Sequence, residues 1–167
     1  MGEVRRRLRD VWEREYQSYV DSREIDSDGL PEGEYDHFSR FITSPSWRHI
    51  VEYGSRTSQR IMAMLRLGSC PLNLYQFRIS NSDSPDCSVD ETIESVGHFL
   101  LQCSRYSRQR VVMMDSIRQV LPPGSTLQIS ESVLLGGHGV GWPQYQHVAD
   151  AVVTYVLQTQ GAGFTGF

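Results

Sequence analysis

Two of the chain's three cysteines and one of its five histidines fall within residues 84–103, SPDCSVDETIESVGHFLLQC. Their series reads Cys87-x2-Asp90-x7-His98-x4-Cys103. Zinc takes four tetrahedral ligands from thiolate, imidazole and sometimes carboxylate oxygen. Two ligands three residues apart suit a turn, and a histidine and cysteine five apart suit one side of a helix; small knuckles present their ligands this way. Aspartate stands at one of the four positions. Its oxygen binds zinc at a distance like that of a ring nitrogen, so it weakens such a site rather than abolishing it. Asp86, Glu91 and Cys70 are further candidates to close the shell. A second reading stays open: His98 and Cys103 flank FLLQ, and both suit a packed helix face on which cysteine acts as a small hydrophobe.

Other chemistry is sparse. All 16 basic residues are arginine. Without lysine there is no P-loop lysine, no lysine beside nuclease carboxylates and no Schiff base. Gly136–Gly141 lack the strand-to-helix context of a nucleotide loop, and His138 and His147 read as surface residues. No Ser/His/Asp order stands out, and the expectation is a protein that is not an enzyme.

The net charge of −4 is unevenly spread. Residues 1–36 carry net −5, 37–82 net +5, 83–103 net −5 and 104–118 net +3. Such blocks suit either a basic patch beside an acidic site or solvated faces that neutralise each other on folding. No apolar run approaches the roughly 18 residues of a membrane span, and MGEVRRRLRD has no apolar signal core. An intracellular protein, nuclear or cytoplasmic, with free thiols or metal-bound cysteines and no membrane partner, is expected.

Helical elements must position these groups. Val4, Leu8, Val11, Trp12, Tyr16, Tyr19 and Val20 form a stripe of 3.6-residue period, and a second short helix fits EYDHFSRFI. A third fits 55–67, with Ser55 as N-cap, Ile61, Met62 and Leu65 inward, Gly68 as stop, and Arg56, Arg60 and Arg66 mostly on the other face. PLNLYQFRI predicts another turn or two of helix started by Pro71. Residues 104–121 are periodic, with Tyr106, Val111, Met114, Ile117 and Leu121 inward. The glycines of ESVLLGGHGVGWP mark a loop, and a last helix runs from about Pro143 to Thr159 with Val148, Val152, Tyr155 and Val156 on its core face. The fold expected is mostly α, a small helical domain around a CCHC-like knuckle that is Cys-Asp-His-Cys here, with little or no sheet. It divides into residues 1–54, a knuckle-containing core at 55–121, and a Gly-rich loop with a C-terminal helix at 122–167.

From about residue 60 the chain resembles the C-terminal, post-polymerase region of non-LTR (LINE-type) retrotransposon reverse-transcriptase polyproteins. MLRLGSCPLNLYQFRI is similar to that family's Leu-Arg-Thr-Gly-His-x-x-Leu stretch and its Tyr-x-x-Arg-Ile-type ending. SDSPDC with ESVGHFLLQC resembles its Ser-Pro-x-Cys-x-x-Cys…Glu-Thr-x-x-His-Phe-Leu-Leu-x-Cys knuckle. CSRYSRQR resembles the Cys-Pro-x-Tyr-x-x-x-Arg that continues it, and the tail from SVLLGGHG to QGAGF is similar to the family's ending. The resemblance places Cys87, His98 and Cys103 on metal positions. Asp90 stands where a second cysteine is expected, and Ser69 where the family often has histidine.

The resemblance implies a zinc-bearing module that helps hold template RNA or target DNA. Arg56, Arg60, Arg66 and Arg78, then Arg105, Arg108 and Arg110, are the phosphate-binding candidates, with Tyr75, Phe77 and Tyr106 as stacking faces among them. A reading frame starting at Met1 would be a fragment of such an element, put to new use by its host. The alternative function is a helical protein-interaction or self-association module, presenting aromatics such as Trp12, Trp47 and Trp142, in which the knuckle is a metal-free relic kept by packing.

Overall fold

The computed structural model describes residues 54–122, 125–136 and 138–159. The two helices expected over residues 4–20 and 34–42, with Trp12 and Trp47, lie outside the described residues, as does the 160–167 tail. The described part is mostly helical: α1 (Arg56–Leu67), α2 (Asn73–Arg78), α3 (Ser107–Val120), α4 (Glu131–Gly136) and α5 (Trp142–Gln158). Between α2 and α3 lie the knuckle, a π-helical turn (His98–Gln102) and a 3-10 turn (Ser104–Tyr106). The one extended pairing among the described residues is an antiparallel bridge between Asp86 and Ile93.

The capping chemistry of α1 agrees with its sequence. Ser55 Oγ accepts from Ser58 N at 3.1 Å, satisfying one of the amides a helix start leaves open, worth about 1 kcal/mol. Gly68 closes the helix at φ 66°, a left-handed conformation that glycine adopts without a Cβ clash. Ile61, Met62 and Leu65 are buried as expected. Arg66 is not on the outer face: it is 2% exposed. It lies one turn beyond Met62, so it shares the inward stripe. Its charge is satisfied there, with Nε donating to Leu135 O at 2.8 Å and Nη2 to the Tyr145 hydroxyl at 2.9 Å.

α2 begins at Asn73, two residues after Pro71, with buried Leu72 as its N-cap. The principal helix pair is α3 against α5, and α1 and α4 also pack on α5. Pro143 sits in the first turn of α5, where its missing amide costs no hydrogen bond. Val148, Val152, Tyr155 and Val156 are buried on α5. Tyr106 and Ile117 are buried around α3, and Met114 and Leu121 pack partly against the core. Val111 is 58% exposed, against expectation. Met113 is inward instead, because Tyr106, Met113 and Ile117 at intervals of seven and four form the covered stripe.

The Gly-rich segment also differs from the expected loop. Glu131–Gly136 is helical, and Val133, Leu134 and Leu135 are buried. Six residues make a marginal helix alone, so packing supplies its stability.

The knuckle is fastened to this core from within. Phe99 and Leu100 of the π-helical turn are fully buried. The Phe99 ring meets Tyr106 edge-on at 5.4 Å and Tyr155 at 5.2 Å, contacts worth about 0.5–1.5 kcal/mol each beyond area burial. On the α2 side, Asn73 N donates to Glu94 Oε2 at 2.9 Å and Asn73 Nδ2 to Asp86 O at 2.6 Å.

Candidate metal centre

Local backbone geometry brings the four expected ligands together. Cys87 N donates to Thr92 O at 2.7 Å, and Glu91 N donates back to Cys87 O at 3.0 Å, folding 87–92 into a tight turn. Glu91 takes a left-handed φ of 54° where that turn reverses. Downstream, Cys103 N donates to His98 O at 2.8 Å. This five-residue step is the π-helical register, and it returns Cys103 to the side of the turn that carries His98.

One ligand atom from each of Cys87, Asp90, His98 and Cys103 lies within 4.8 Å of all the others. Cys87 Sγ and Cys103 Sγ are 3.8 Å apart, and His98 Nε2 stands 3.2 Å from Asp90 Oδ2. Both distances match edges that a tetrahedral zinc would have: bonds of about 2.3 Å to sulfur imply an S···S edge of about 3.8 Å, and bonds of about 2.0–2.1 Å to nitrogen and oxygen imply about 3.3 Å. His98 Nε2 is buried and makes no hydrogen bond. An imidazole nitrogen aimed into a cluster of sulfur and oxygen without a donated or accepted bond is in the state a metal ligand requires.

A second ring of contacts orients the ligands. His98 Nδ1 is 3.2 Å from Thr92 Oγ1; a metal on Nε2 would leave Nδ1 to donate to the threonine. Asp90 accepts from Ser104 N at 2.9 Å on Oδ2 and from the Ser104 hydroxyl on Oδ1. These two donors, hydroxyl first, hold the Asp90 carboxyl below its ordinary range, so it stays ionised. Burial pushes the Cys103 thiol up to about 11, with the Cys87 thiol and Asp90 adding to the shift. Metal entry must therefore displace a proton from Cys103. Arg110 donates to Cys103 O, and Arg105 Nη2 to Ser88 Oγ at 2.6 Å.

The other candidates to close the shell stand apart. Asp86 accepts from Ser84 Oγ at 2.9 Å, Glu91 is exposed, and Cys70 is a separate buried thiol that burial pushes up to about 12. His147 is exposed and His138 half-buried, and neither belongs to the group.

The candidate nucleic-acid residues divide by burial. Arg56, Arg60, Arg78, Arg105 and Arg108 are exposed, Arg110 and Tyr75 are half-buried, and Phe77 is exposed. Buried Arg66 is spent on Leu135 and Tyr145, and Tyr106 is buried against Phe99, so neither presents itself to a phosphate or a base. Thr92 and Ser104 are the participants that sequence spacing did not single out. Both are short hydroxyl residues inside or next to the ligand series, the only signal that pointed to them.

None of the described helices is long and apolar enough to cross a membrane. Comparison of the chain with protein-family models, curated proteins and solved structures finds no match in any of the three.

Proposed function

We propose that this chain is a non-catalytic nucleic-acid-binding module whose knuckle is stapled by zinc. The observation that carries the zinc reading is the pair of edges at 3.8 Å and 3.2 Å, which fit a tetrahedral ion held by two sulfurs, a nitrogen and an oxygen. The protein supplies all four ligands, and three of the four side chains are buried. A closed shell of this kind leaves no open position for a substrate or an activated water, which favours a structural role over a catalytic one. Zinc there would join the 87–92 turn to the 98–103 turn and hold the segment that leads into α3.

The nucleic-acid reading is supported by the exposed arginines that flank the centre, Arg105 and Arg108, with Arg56, Arg60 and Arg78 on α1 and α2. It is supported also by the resemblance to the post-polymerase region of LINE-type polyproteins. Metal content of the full chain, purified without added zinc or chelator, tests the first half; about one zinc per chain is expected, and none refutes it. Salt-titrated binding to RNA and to DNA tests the second. Phosphate contacts require affinity to fall steeply with salt, and Arg108→Ala to reduce the slope by about one.

A specific observation favours protein interaction as the second reading. Val111 and Val112 on α3 are 58% and 59% exposed. Binding through such a surface responds weakly to salt, which separates the two readings.

A further inference from the structure

We propose that Ser104 is the positioning residue of the centre, the group that turns the Asp90 carboxylate into a fixed ligand. The inference rests on the zinc reading of the four-residue cluster. Asp90 is the most open of the four, with a side chain 22% exposed against 5% for His98 and 1% for each cysteine. A carboxylate reached by water is free to rotate away, and ordering it costs side-chain entropy. Ser104 removes that freedom. Its amide donates to Oδ2 at 2.9 Å, the same oxygen that stands 3.2 Å from His98 Nε2, and its hydroxyl donates to Oδ1. Both carboxylate oxygens are thereby tied, with Oδ2 left facing the cluster.

Ser104 directly follows the ligand Cys103, so the tie also spans the two halves of the site. It links the turn that carries Cys87 and Asp90 to the turn that carries His98 and Cys103, before any ion arrives. An ion entering this site meets four groups already set, which is the condition for tight binding by an outer-shell contact.

Zinc affinity of the full chain, measured by chelator competition, tests this. Proline at 104 deletes both donors at once and suits the backbone, because Cys103 has the extended ψ of 120° that a residue before proline adopts. Ser104→Pro is expected to weaken zinc binding roughly 10–100-fold. Ser104→Ala, which keeps the amide, should lose less, and Ser104→Thr, which keeps both donors, should bind like the wild type. In an Asp90→Cys background, where no carboxylate needs holding, Ser104→Pro should leave affinity within about twofold.

A wild-type chain that takes up no zinc overturns the zinc reading and this proposal with it. Zinc bound normally by Ser104→Pro overturns this proposal alone. An equal loss in both backgrounds, tracked by an equal fall in melting temperature of the metal-free forms, also overturns it, because Ser104 would then act on the fold and not on Asp90.

Discussion

The Tyr155 hydroxyl donates to the carbonyl of Phe99 at 2.6 Å, joining the last turn of α5 to the residue next to His98. Both partners are fully buried. The last helix thus sets the height of the π-helical turn and, through it, the position of His98, 57 residues earlier in the chain.

Removing that hydroxyl isolates the effect. Tyr155→Phe keeps the ring against Phe99 and Tyr106 but removes the hydroxyl that donates to the Phe99 carbonyl, at a cost of about 0.5–1.5 kcal/mol. Urea unfolding of metal-free protein checks it. Chelator competition on the same variant should show weaker zinc binding, because the turn bearing His98 loses its anchor.

Loss of a thiolate should uncouple stability from zinc. In the wild type, added zinc should raise the melting temperature in proportion to the logarithm of its free concentration, since it binds the folded form. Cys87→Ser with Cys103→Ser should abolish that rise while leaving a folded, metal-free domain of reduced stability. A zinc-induced rise that survives in the double variant would place the metal elsewhere.

Rising pH should act with opposite signs on the two forms, each in its own range. The Cys103 thiol moves from its ordinary 9.0 to about 11 in the fold, and Cys70 to about 12. An acid whose pKa rises on folding favours the protonated fold, so its contribution is complete below pH 9 and is lost as pH climbs through 11. Metal-free protein should therefore lose stability from pH 9 upward. Zinc-loaded protein should gain from pH 6 to 8, because protons compete with the ion for the sulfur. Thermal melts across both ranges measure the two slopes.

Two arginines that look alike in sequence should behave differently. Arg66→Ala removes a buried charged donor from Leu135 O and the Tyr145 hydroxyl, at about 2–3 kcal/mol. Its folded fraction should bind RNA or DNA as before. Arg108→Ala touches an exposed side chain, so stability should stay within about 0.5 kcal/mol while salt-sensitive binding weakens. Urea titration together with binding isotherms separates them.

Much of the site was legible because its ligands are close in sequence. Cys87 to Cys103 spans only 17 residues, and a turn followed by a helical step is enough to gather four side chains, whatever the rest of the chain does. The helix limits at Ser55, Gly68 and Pro143 were legible for the same reason, since capping and proline chemistry act within one turn.

Side-chain burial followed other rules. Arg66 reads as a phosphate ligand by residue type, yet the turn on which it lies faces α4 and α5. Tyr106 reads as inward by periodicity and as a stacking face by residue type, and its contacts with Phe99 and Tyr155 decide for the core; Val111 reads as core and is exposed. Helix α4 reads as loop from its flanking glycines, and forms because Val133, Leu134 and Leu135 have a surface to cover. Asp90 and Ser104 both depart from the pattern that the knuckle resembles, and only the structure shows them hydrogen-bonded to each other.

The amino-acid sequence by itself determined the candidate ligand set, the ends of α1, the start of α5 and the helical class, because these depend on interactions a few residues in range. The tertiary structure alone decided which arginines reach solvent, which aromatics line the core and which hydroxyls steady the ligands, because each depends on what another segment brings within about 4 Å of it.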